Sequence, residues 1–112
     1  MSRQRFDRAM ERMRSQDVRL RQDGFDFVRE HADSYVTELI EEFGREPAGE
    51  LRRWLLELIA EARSEEALPV FAAVLDGHDE DLRFWAIRGL EELDTPLARR
   101  ELERAGGEPW SY

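Results

Sequence analysis

The sequence predicts an all-α fold, a short solenoid of about three stacked helical pairs plus a final helix. Three observations predict it: a repeat interval, a helical spacing inside each repeat, and helix-ending residues at the joins. The interval is 31 residues, since Leu51-Arg52-Arg53-Trp54 recurs as Leu82-Arg83-Phe84-Trp85 and Leu20-Arg21 stands one interval earlier. Behind these leucines, the positions 4, 7, 8 and 11 further on read Gly24, Phe27, Val28 and His31, then Leu55, Leu58, Ile59 and Ala62, then Ala86, Gly89, Leu90 and Leu93. That is one face of an α-helix written three times. A second set of columns keeps the same interval: Val36, Ala67, Ala98; Ile40, Phe71, Leu102; Phe43, Val74, Ala105. The unit is therefore a helix pair. A pair of roughly 30 residues cannot bury both apolar faces alone, but pairs stacked in register share a continuous core.

Punctuation divides the chain into helices over roughly 3–15, 17–31, 33–44, 48–63, 65–76, 80–94 and 96–105. The first fits the core only in a shifted register, through Phe6, Ala9, Met10 and Met13. Asp17 and Asp79 each stand three residues before a column leucine, where a carboxylate can take an orphan backbone N–H. Ser64 is a cap without a full capping box. Pro47 and Pro96 suit helix starts, Pro69 falls early enough in its helix to be tolerated, and Gly44, Gly77 and Gly106-Gly107 read as helix ends. No segment alternates with period two over enough residues to make a strand. The whole chain, 1–112, reads as one domain with repeats at about 2–31, 33–63 and 65–94, a last helix over 96–105 and a tail over 106–112.

The segment Glu65–Leu102 carries a resemblance. A helix beginning Ala67-Leu68-Pro69-Val70-Phe71 leads to an acidic loop, Asp76 to Asp81, then Leu82-Arg83 with the small residue Ala86 four positions after the leucine. This resembles a bacterial HEAT repeat. Residues 33–63 match less closely, with Glu50 in place of aspartate and Leu55 in place of the small residue; residues 2–31 depart further. The resemblance implies a right-handed α-solenoid whose second helices line a concave surface that usually binds protein. It also implies that Arg21, Arg52 and Arg83 form a structural ladder, each bonding to an acidic residue of a neighbouring repeat.

Composition narrows the function classes. There is no cysteine, which excludes disulfides, thiol catalysis and thiolate metal sites. All 17 basic residues are arginine, with neither lysine nor asparagine, a bias that suggests a GC-rich bacterial genome. The N-terminus lacks an apolar run and no stretch approaches the ~20 apolar residues of a membrane span, so a cytoplasmic protein without membrane contact is expected. Charge is polarised: residues 1–31 carry eight arginines against six acids, net +2, and residues 32–112 nine against twenty, net −11. Glu38, Glu42 and Glu46 form a row at i+4 spacing that reads as an acidic, solvated face or as a surface for a basic partner. Nucleic acid is not expected, because phosphate affinity needs clustered cations.

On a helical wheel, the second helices turn Gln22, Asp26 and Arg29, then Arg53, Glu57 and Ala60, then Phe84, Arg88 and Glu91 away from their partner helices. Trp54 and Trp85 flank that face. Arg53, Trp54, Glu57, Phe84, Trp85 and Arg88 are therefore the candidate partner-binding residues, an aromatic and arginine cluster of the kind that anchors interfaces. No catalytic, cofactor or metal residues emerge: His31 and His78 are far apart in sequence, the serines lack a nearby base, and no glycine pattern cradles a phosphate. The expected function is a non-catalytic adaptor or regulator, favoured as a monomer, that holds another protein, with a toxin-neutralising immunity-type protein acting on a basic partner as its specific form. The alternative is a HEAT-like lyase or chaperone subunit presenting a cofactor or client to another enzyme. Trp110, in the aromatic tail, is expected to cover Leu97, Ala98 and Leu102 on the last helix; docking elsewhere is the alternative.

Overall fold

Apolar spacing and caps set where the chain turns. The computed structural model of the protein describes residues 3–106. Its helices are α1 (Arg3–Met13), α2 (Val18–Glu30), α3 (Val36–Arg45), α4 (Glu50–Glu61), α5 (Leu68–Leu75), α6 (Glu80–Leu93) and α7 (Pro96–Gly106). Single 3₁₀ turns, Ala32–Ser34 and Glu65–Ala67, lead into α3 and α5, and the described residues contain no strand. The Asp17 carboxylate accepts the backbone N–H groups of Arg19 and Leu20 at 2.8 and 3.4 Å, and that of Asp79 accepts Leu82 N–H at 3.1 Å. Ser64 caps the 3₁₀ turn, its hydroxyl accepting Glu66 N–H at 3.1 Å.

Several boundaries differ from those the sequence predicts. Pro47 does not open a helix: α4 begins at Glu50, after Gly49 at φ 151°, a conformation that favours glycine. Gly44 lies inside the last turn of α3 rather than beyond it. The left-handed residue that ends α6 is Asp94, at φ 48° and ψ 44°, so an aspartate fills the position usually taken by glycine.

Each pair packs within itself, α1 on α2, α3 on α4 and α5 on α6, while α7 closes against α5 and α6. Along the second-helix layer α4 lies closely on α6 and more openly on α2. Stacking makes the body longer than it is wide, 41 × 26 × 23 Å. The repeat columns supply the core: Val28, Leu55, Leu58, Ile59, Ala86 and Leu90 are buried, as are Val36, Ala67, Ala98, Phe43 and Phe71. Complete burial of a leucine or isoleucine contributes about 1.5–3 kcal/mol. The first repeat joins through the shifted register of α1, whose Phe6, Ala9, Met10 and Met13 are all buried, with the Phe6 ring 5.2 Å from that of Tyr35.

One column behaves otherwise. Leu20 is 41% exposed, whereas Leu51 and Leu82 are half-buried. Leu51 lines a cavity with Met13 and Arg14, and Leu82 one with Phe43 and Arg52, so each borders the repeat before it. No helix pair precedes the first repeat among the described residues, which leaves Leu20, and Val18 at 68%, open to solvent.

Candidate functional site

The arginine column divides into two behaviours. Arg52 lies over the Phe43 ring, 3.8 Å from its centroid, and donates to the carbonyls of Phe43 and, at 3.1 Å, Glu46. Arg83 donates to the carbonyl of Leu75. Both close the C-terminal end of the preceding helix, where the last carbonyls lack helical partners. They bond backbone oxygens, in place of the acidic side chains the resemblance implies. Arg21 does neither. The end of α1 turns on its own backbone, with Arg14 N–H on Met10 O and Ser15 N–H on Arg12 O, each at 3.0 Å. Arg21 reaches forward instead, lying 5.8 Å from the Trp54 ring and 3.8 Å from Glu50; its Nε is buried without a hydrogen-bond partner.

The open contact between α2 and α4 forms a groove of about 240 Å³ lined by Val18, Arg21, Gln22, Phe25, Glu50, Trp54 and Glu57. Phe25 and Trp54 meet edge to face with ring centroids 6.4 Å apart, a favoured arrangement for aromatic quadrupoles. Glu50, Trp54 and Glu57 share one stripe at i, i+4 and i+7, which sets the two carboxylates on either side of the indole, about 10.5 Å apart along the axis. Glu50 has Arg21 and Arg53 each at 3.8 Å. Glu57 has no hydrogen bond or ion pair among the described residues. Partial burial raises its pKa above the ordinary carboxylate value and Glu61 adds to the rise, while Arg29 and Arg53 offset part of it.

Further along the layer, Phe84 is 56% exposed and stands edge to face with Trp85 at 5.2 Å. Arg88 is exposed, and Arg53 bridges α4 to α6 through Asp81 at 3.7 Å. The two tryptophans do not stack on each other among the described residues: Trp54 meets Phe25 of α2, and Trp85 meets Phe84 of its own helix. Arg53, Trp54 and Glu57 thus sit on the α4 part of this surface, and Phe84, Trp85 and Arg88 on its α6 part. Ala60, given to the same face by the helical wheel, is buried, because α4 is enclosed on both sides. Val18, Arg21, Gln22, Phe25 and Glu50 complete the groove; none is among the candidate partner-binding residues, Arg21 reading as a ladder residue and Gln22 only as part of the outward face of its helix. Phe25 belongs to an apolar column at five residues beyond each column leucine, with Leu56 and Ile87, and that column was the available signal.

The glutamate row is a correction. Glu42 and Glu46 are not solvated: their side chains are 14% and 15% exposed and hold Arg14 at 3.2 and 2.9 Å, tying α1 to α3. The adjacent Glu41 takes Arg3 at 3.3 Å. The row's charge is spent largely inside the protein. Trp110 and the tail lie outside the described residues. No group of three or more metal-ligating side chains converges among the described residues, and no helix there is long and apolar enough to cross a membrane.

A family model for HEAT repeats matches residues 36–112, from the start of α3 onward. No curated protein and no solved structure matches the chain. HEAT repeats generally mediate protein–protein interaction, and the family is typically non-catalytic. With helix pairs stacked at a fixed interval and that match covering more than half of its length, the chain belongs to the HEAT-repeat family.

Proposed function

We propose that the protein is a non-catalytic adaptor or regulator that holds a partner protein or peptide against its second helices. The observation that carries this reading is Phe84, a phenylalanine 56% exposed on α6 and braced edge to face by Trp85. An exposed aromatic held in one orientation loses little entropy on binding and supplies a large apolar contact. Arg53 and Arg88 beside it, with the Phe25–Trp54 pair across the layer, continue that surface. The net charge of −9 favours a basic partner through faster encounter, and neutralisation of a basic toxin in an immunity-type complex is the specific form of this reading.

Selection of random linear peptides displayed on phage against the immobilised full chain tests it. Enriched peptides should bind the Trp54→Ala and Phe84→Ala variants at least about tenfold more weakly than the parent, the loss usual at an interface hot spot. Peptides indifferent to both substitutions, or an absence of enrichment, would count against it.

A further inference from the structure

We propose that the groove between α2 and α4 receives a single basic side chain from the partner, its aliphatic stem along Trp54 and its cationic head on the Glu57 carboxylate. The inference rests on the protein-binding reading and assigns the chemistry recognised at one place on that surface.

Size comes first. At about 240 Å³ the groove is smaller than the usual range for small-molecule and cofactor sites, roughly 300–1,000 Å³, and suits one long side chain. Its walls then specify which kind. Trp54 is flanked by two carboxylates on one helical stripe, and at the Glu50 end the chain shows the mode of recognition itself: the Arg21 guanidinium lies over the indole and pairs with the carboxylate. At the other end the same indole stands beside a second carboxylate, half-buried Glu57, which makes no direct ion pair among the described residues and feels Arg29 and Arg53 only at longer range. A carboxylate partly withdrawn from water and only partly compensated by distant cations is unfavourable in the folded protein, and a guanidinium or ammonium in direct contact relieves that. Exposed Val18 at the rim, with Phe25 across from Trp54, gives apolar surface for the stem that carries such a head. Charge around the groove has the complementary sign: Glu50, Glu57, Asp26, Glu61 and Asp81 outnumber Arg21, Arg29 and Arg53. Gln22 is committed, its Nε2 donating to Asp26 at 2.9 Å, so it does not compete for Glu57.

The test titrates the full chain with N-acetyl-arginine methylamide while the indole N–H resonances are followed by NMR, that of Trp54 being assigned with a Trp54→Phe variant. N-acetyl-citrulline methylamide, which has nearly the same shape and no charge, is the control. The expected result is a saturable shift at Trp54, at least about fivefold weaker in Glu57→Gln and absent with the citrulline compound. An equal response to citrulline, an unchanged response in Glu57→Gln, or no movement of the Trp54 signal overturns the inference. Because Glu57 is only half-buried, Glu57→Gln keeps the fold, and superposition of the remaining resonances verifies this. A shift at Trp85 alone also overturns the groove assignment while leaving the second-helix reading intact. Failure of that broader reading is registered separately, in the peptide selection.

Discussion

Gly89 on α6 lies so close to the Phe71 ring on α5 that a Cβ built on it would stand 2.4 Å from Cζ. Phe71 is buried at 1% exposure, so its ring cannot move aside into solvent. Gly89→Ala should therefore destabilise by about 1–3 kcal/mol, and Gly24→Ala by at least as much, since its Cβ would meet the backbone oxygen of Ala9 at 2.5 Å. Gly44, also helical, has nothing within 4 Å; Gly44→Ala should stabilise by about 0.5–1 kcal/mol. Chemical denaturation of the three variants checks the ordering.

Arg14 joins the first repeat to the second through Glu42 and Glu46. Replacing Glu38, Glu42 and Glu46 by glutamine relieves repulsion along α3 but removes both partners of Arg14. A loss of about 0.5–1 kcal/mol is expected, shrinking as salt rises, because Arg14 is itself 45% exposed. Thermal melts at low and high ionic strength measure it. A gain in stability would mean that the repulsion along the row outweighs the ion pairs.

Arg52 closes the end of α3 while packed on the Phe43 ring. Arg52→Lys should not substitute for it, since an ammonium cannot stack flat on the ring while its other donors reach two carbonyls. A loss of about 1–3 kcal/mol in urea denaturation is expected for Arg52→Lys and Arg52→Ala alike.

Glu57 makes a pH-dependent prediction. Its folded pKa lies above the unfolded value, so the native state holds the extra proton between the two and stability falls as pH rises through that window. Glu57→Gln removes the effect. The variant should be the more stable protein at neutral pH, and its advantage should narrow as pH falls through the same window. Melting temperatures across a pH series decide the matter; an advantage that grows in acid would contradict the sign.

The fold was legible because helix stacking is written as spacing. The columns through Leu55, Leu58, Ile59 and Leu90 recur at one interval, and burial follows the columns. Leu20 escaped that logic: unlike Leu51 and Leu82 it has no earlier helix pair beside it among the described residues, and it stays 41% exposed. The glutamate row was misread because Arg14 stands 28 and 32 residues from its partners, a distance over which no local pattern pairs charges. The groove was half legible. Trp54 and Glu57 follow from the helical wheel of α4, and Arg21 reads as a ladder residue pairing with an acid of the next repeat; it does reach Glu50, but its place over Trp54 follows from no column.

Hydrogen–deuterium exchange of the full chain, with and without a peptide taken from the selection, tests the central claim most directly. If partners bind the second helices, protection should concentrate in α2, α4 and α6, across the segments that carry Trp54, Glu57 and Phe84, and leave the outer surfaces of α1, α3 and α5 unchanged. Protection confined to the first helices, or to α7 alone, would contradict the account.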